Sequence, residues 1–217
     1  MRTILAVLAA ATLSMSAASA ADVTLPKQLS WTAYGTTSSG YAQSIGLGNM
    51  LKSKYDVDLR VIPGKNDVSR MLPLKANQAE ICACGIASYY GQEGVFMFAS
   101  EQWGPTRVMN LFNNIGRNGA GLIVAGDVGI ESYEGLKGKR ITWVKGAPAL
   151  NLNSTAGLAF AGLTWDDVEK IVVPGWGQGM QAIIDGQADA SWGSTISSVY
   201  NQMAASPRGI TPLPFPH

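Results

Sequence analysis

Apolar residues along this chain recur in two rhythms, and their alternation points to an α/β protein. Short apolar-rich runs bounded by turn residues read as strands at 29–34 (LSWTAY), 57–62 (VDLRVI), 79–84 (AEICAC), 119–126, 140–144, 170–174 and 188–192. Between them lie stretches with helical spacing. After residue 38, Leu47, Met50, Leu51 and Tyr55 fall on one helical face. Residues 66–75 read as a helix weakened by Pro73, and further helices are expected near 150–162, 177–185 and 194–204. Thr164 and Asp167 have the spacing of a capping box. Strands alternating with helices imply mainly parallel sheets.

An internal echo divides the chain. LKANQAEICACGIASYY (74–90) is similar to IDGQADASWGSTISSVY (184–200). Each runs from a helix through an N/G-Q-A-E/D turn and a short strand into a Ser- and Gly-containing loop and another helix. The echo predicts two lobes, residues 21–118 and 119–206, with 207–217 starting a crossover back to lobe one. Open α/β sheets bind ligands beyond the carboxyl ends of their strands. Two facing lobes therefore place both sets of strand ends in one cleft.

Composition narrows the function. The 217 residues are 47% hydrophobic and 14% charged, enough for a substantial core. The net charge is +1, and apart from Arg2, 15 basic residues face 15 acidic ones. No basic face is implied, so nucleic acid is not an expected partner. The first 20 residues have a basic start, an apolar centre and Ala18 and Ala20 in an A-x-A pattern, which reads as a signal peptide cleaved before Ala21. The expected location is the periplasm. The single His is His217, so histidine-dependent catalytic or metal sites are hard to assemble. No enzyme motif, metal or cofactor is expected. Cys82 and Cys84 are two apart in a strand-like run, at the far edge of disulfide geometry, and read as reduced and buried.

The candidate chemistry lies in the loops. YGTTSSGYAQSIGLGNM (34–50) places hydroxyls and a glycine between a strand end and a helix start. A helix cap needs one hydroxyl, whereas several beside free N–H groups make an anion seat. Thr36, Ser38, Ser39 and Tyr41 are candidates for seating a carboxylate, with Asn66 and Ser88 adding polar contacts. Lys145, Gly146 and Ala147 mirror that loop in the second lobe, Lys145 as charge partner or as a solvated surface lysine. Trp176 and Trp192 lie just beyond their strands, as cleft walls or as ordinary core aromatics.

Four stretches together resemble the TAXI family, the solute receptors of one class of TRAP transporters. They are GTTSSGYAQSIGLGNML, VIPGKNDVSRMLPLKANQAEI, GIESYEGLKGKRITWVKGAP and IIDGQADASWGSTISSVYNQMAASPRGITPLPFP. The third is also similar to a segment found in many binding proteins. The resemblance implies a two-lobed, type II-like periplasmic binding protein that captures a small carboxylate-containing solute, an organic acid or amino acid, and delivers it to a TRAP permease membrane subunit. An ABC-type binding protein for thiamine precursors or sulfonates is the alternative. Members of the TAXI family continue past the end of this chain, so lobe one reads as incomplete.

Overall fold

The computed structural model describes residues 24–112 and 120–213. The leader at 1–20 and His217 lie outside the described residues. Two sheets form, one in each lobe.

The first sheet is parallel, in the order β2-β1-β3, from β1 (Gln28–Tyr34), β2 (Asp58–Gly64) and β3 (Ile81–Cys82). Trp31 and Ala33 of the central strand are buried, as one face of a covered strand requires. Helix α1 (Ser39–Tyr55) links β1 to β2. Ser38 Oγ accepts from the Tyr41 N–H at 3.2 Å, and Asp56 closes the helix in the left-handed region. Its expected apolar face is only half covered. Leu47 and Leu51 are half-buried, whereas Met50 and Tyr55 are exposed.

Helix α2 (Asp67–Lys75) runs through Pro73 rather than stopping at it. A capping box at Asn66 and Ser69 secures its start, Met71 is fully buried, and the helix ends two residues after the proline. Residues 79–84 make a two-residue strand rather than six. Past Cys82 the chain turns away, and Cys82 and Cys84 come together with Cα atoms 5.2 Å apart. The two are disulfide-bonded, which corrects the expectation of reduced thiols. That expectation rested on a regular strand spacing of about 6.5 Å, and the irregular backbone here brings the pair within ordinary bridging range. Helix α3 (Ile86–Glu93) follows.

The second sheet has the order β6-β5-β7-β4-β8. Its strands are β4 (Ala120–Ala125), β5 (Arg140–Val144), β6 (Glu169–Val173), β7 (Ala190–Ser194) and β8 (Ile210–Leu213). β5 pairs in parallel with β6 and β7, while β4 runs antiparallel to both β7 and β8. Residues 210–213 thus extend the second sheet. Helices α4 (Pro148–Phe160), α5 (Trp176–Ile184) and α6 (Ser198–Ala204) cover it. Thr164 and Asp167 do form a capping box, on a single 3-10 turn.

Strand β4 shows why this sheet is well covered. Leu122 and Val124 enter one core with Tyr133, Leu136, Ile141 and Leu158. Ile123 and Ala125 enter the opposite one with Trp176, Met180, Ile183 and Met203. Each fully buried Leu or Ile contributes on the order of 1.5–3 kcal/mol. Lobe one has a smaller core of Met71, Cys84, Ala87, Tyr90 and Phe98, and Ala149 from α4 of lobe two completes it. The lobes therefore share packing.

Candidate functional site

The loops that leave the carboxyl ends of the strands meet at the boundary between the lobes. From lobe one come the β1–α1 loop (35–38) and the β2–α2 loop (65–66). From lobe two come the β5–α4 loop (145–147), the β6–α5 loop (174–175) and the β7–α6 loop (195–197).

Direct bonds join them. The Asn66 side chain caps α2 by accepting from the Ser69 N–H at 2.9 Å, and its Nδ2 donates across the boundary to the Lys145 carbonyl at 2.9 Å. The Val68 N–H donates to the Gly146 carbonyl at 3.1 Å, and the Trp176 N–H to the Lys65 carbonyl at 3.0 Å. The Ser198 N–H and Oγ both donate to the Thr37 carbonyl, each at 3.1 Å. The Trp176 ring stacks on Tyr34, with centroids 6.2 Å apart and planes 28° from parallel.

At the centre is Asp67, which is fully buried. Its Oδ1 accepts from the Tyr34 hydroxyl at 2.5 Å and from Arg70 Nη2 at 2.6 Å. Its Oδ2 accepts from the Ala149 N–H at 2.8 Å, in the first turn of α4. That N–H has no partner within its own helix, and the positive end of the helix favours a carboxylate there. Arg70 lies 3.5 Å from the Tyr34 ring centroid and donates to the carbonyls of Ala83 and Cys84, on the loop closed by the disulfide. Its Nε has no hydrogen-bond partner among the described residues. Burial pushes the Tyr34 phenol well above its ordinary range. The Arg70 charge opposes that shift and the Asp67 carboxylate adds to it, so the hydroxyl is a fixed donor.

The structure places the sequence candidates unevenly. Asn66, Lys145, Gly146 and Trp176 meet at the boundary, Lys145 through its backbone while its side chain points to solvent. Ala147 is fully buried, with its N–H bonded back to Val144. Ser38 is spent as the α1 cap, Thr36 is exposed, and Ser39 and Tyr41 are half-buried in the first turn of α1. Ser88 Oγ donates back to the carbonyl of Gly85, the residue just before α3, at 2.7 Å. Trp192 lies inside β7 rather than beyond it and packs against the core built around Leu122. Its carbonyl accepts from Trp176 Nε1 at 3.0 Å. Sequence reasoning missed Tyr34, Asp67, Arg70 and Ser198. A signal existed for two of them, since Asp67 and Arg70 have the i,i+3 spacing of a helical ion pair directly after a strong cap.

Comparison with known proteins places this geometry in a family. Residues 53–212, well over half of the chain, match the family model described as NMT1/THI5 like. The chain belongs to the NMT1/THI5-like family. That finding overturns the resemblance to TAXI receptors, and the TRAP permease falls with it. The quoted stretches build the frame of the lobes, such as β5 and the turns before β3 and β7, and a shared frame does not separate one binding-protein family from another.

No curated protein matches this NMT1/THI5-like chain. Among solved structures it is similar to the alkanesulfonate-binding protein from Xanthomonas axonopodis pv. citri bound to MOPS. The TM-score is 0.52 at 18% identity, covering 77% of this chain and 55% of that one. The periplasmic aliphatic sulphonate binding protein from Escherichia coli gives a TM-score of 0.54 at 16% identity, with coverage of 88% and 60%. An amino acid ABC transporter substrate-binding protein from Streptococcus pneumoniae bound to L-arginine gives 0.57 at 15%, with coverage of 87% and 76%. The NMT1/THI5-like chain has the two-lobed type II periplasmic binding-protein fold. It spans little more than half the length of the two sulfonate-binding proteins.

Proposed function

We propose that this chain is the solute-binding component of an ABC-type transporter, working outside the cytoplasm without turning its ligand over. The solute is small and acidic, bearing a sulfonate or carboxylate, and is held between the lobes. One observation carries the reading: the start of α4, at the lobe boundary, holds a carboxylate at 2.8 Å, that of Asp67. A site that accepts one oxyanion from an N–H at a helix end is suited to others of the same chemistry. The ligands bound in two proteins of similar fold, MOPS and L-arginine, carry a sulfonate and a carboxylate and support the same class.

On this reading Asn66, Lys145, Gly146, Ala147 and Trp176 line the closing surfaces, and Thr36, Ser38, Ser39 and Tyr41 form the facing rim on lobe one. Ser88 and Trp192 are left in supporting positions. The partner is an ABC permease, which engages the receptor after the lobes close on solute.

A thermal-shift screen over alkanesulfonates, dicarboxylates and amino acids tests the proposal. At one hundred times Kd, a ligand that binds only the folded state adds about 2.7 kcal/mol of apparent stability. At least one acidic class should raise the melting temperature in proportion to the logarithm of its concentration. A flat response across all three, or turnover of any compound, refutes the reading.

A further inference from the structure

The cleft of a two-lobed receptor is where a solute would bridge the lobes, yet here the lobes bridge each other. We infer that Asp67 acts as a tethered stand-in for the acidic group of the solute, latching the lobes shut in the ligand-free protein. Four features converge on it. The residue belongs to lobe one, and its Oδ2 is taken by the Ala149 N–H of lobe two at 2.8 Å. Its Oδ1 is held by Tyr34 and Arg70, both of lobe one, which aim the carboxylate at the start of α4. Arg70 is itself anchored to the carbonyls of Ala83 and Cys84, so the arm that carries the latch is stiff. Asn66 and Val68, on either side of Asp67, bond to Lys145 and Gly146 on the far side of the boundary.

The α4 seat is therefore filled by the chain's own carboxylate. An incoming acid must displace it, and only the fraction of molecules with the lobes parted can accept one. Apparent affinity is reduced by that fraction. This consequence rests on the solute-receptor reading, but the latch does not.

The test measures lobe separation without any solute. Nitroxide labels are attached to cysteines introduced as Gln43→Cys on α1 and Ala156→Cys on α4, both at exposed positions, while the native pair is held in its disulfide. Pulsed dipolar spectroscopy then reads the distance distribution in the parent and in two latch variants. Asp67→Asn keeps the shape and can still accept from Arg70, but loses the charge. Ala149→Pro removes the lobe-two donor and changes no residue of lobe one, at a first-turn position where a helix tolerates proline. Because Ala149 also packs into the lobe-one core, Ala149→Val serves as the control that adds bulk there and keeps the N–H. Far-UV circular dichroism checks folding, and if Asp67→Asn does not fold, Ala149→Pro decides. A hydrogen bond to a charged group is lost in each latch variant, so the closed-to-open ratio should fall roughly tenfold or more. A short single distance in the parent and a longer, broader one in the variants supports the latch. A folded latch variant that keeps the parental distance overturns it, as does a parent that is already open.

Methanesulfonate titrations run alongside. Tighter binding in the variants than in the parent is the expected result, and equal or weaker binding removes the competition from the inference. Absence of binding in every protein counts against the receptor reading and leaves the distance result standing.

Discussion

Gly146→Ala is the sharpest probe of how firmly the lobes are joined. Gly146 has a φ of +71°, where an L-residue with a Cβ costs about 1–2 kcal/mol. An added Cβ would also lie 2.7 Å from Asn66 Nδ2 and 2.9 Å from Asn66 Cγ. Asn66 cannot swing aside freely, because one end of its amide caps α2 and the other reaches the Lys145 carbonyl. Losing the cap costs about 1 kcal/mol, and losing the second bond costs about as much again. The expected total is about 3–4 kcal/mol. Gly162→Ala is the matched control, since Gly162 has a φ of +69° and nothing within 4 Å of its Cβ position. It bears the backbone strain alone, about 1–2 kcal/mol. Urea unfolding of both variants and the parent gives the difference directly. If Gly146→Ala costs no more than Gly162→Ala, the Asn66–Lys145 contact contributes nothing in solution and the joined-lobe picture fails.

Two further outcomes follow from lobe two. Thr142 Oγ1 donates to Ser191 Oγ at 2.6 Å inside the core. Thr142→Val should cost about 1–3 kcal/mol by leaving the serine unpaired, while adding Ser191→Ala should recover most of it, and a double variant as unstable as the single one would reject that account. Burial pushes Asp189 upward, but the Arg140 hydrogen bonds and charge outweigh it and hold the carboxyl below its ordinary range. Its stabilisation is therefore fully present above the unfolded value of about 3.9 and is lost as pH falls through the lower folded value. Stability measured from pH 6 downward should fall less steeply in Asp189→Asn than in the parent, and equal slopes would contradict the assignment.

Most of the frame was legible from the chain. β5 was expected at 140–144 and forms over those residues, because its run is flanked by turn glycines and its Ile141 and Val144 enter two different cores. The internal echo mapped onto α2-β3-α3 and α5-β7-α6. The failures lay where long-range contact decides. Nothing local shows that the backbone after Cys82 bends enough to join two cysteines, or that β4 pairs in the middle of the second sheet. The candidate site was half legible. Loop position located Asn66, Gly146 and Trp176, but hydroxyl-rich sequence drew attention to Thr36 and Ser39, which make no bond across the boundary among the described residues. Asp67 looked like an ordinary first-turn acid, because its partner is a backbone N–H more than eighty residues away.

The place of β4 in the second sheet bears on how the chain acquires its fold. Its six residues are strongly apolar, and five are buried. One edge waits for β7, pairing Ala120 with Ser194, and the other waits for β8, pairing Leu122 with Leu213. In lobe one, β1 meets β2 after a single helix, with Gln28 opposite Asp58. Loop closure is costlier and slower for the distant pairs, so the β1–β2 pair can form early while the second sheet waits for β7 and β8. During that interval β4 is an unpaired, aggregation-prone segment with two free edges. Asp127 stands just beyond it and pairs at 2.9 Å with Arg208, which stands just before β8, so this ion pair forms only once the end of the sheet is in place.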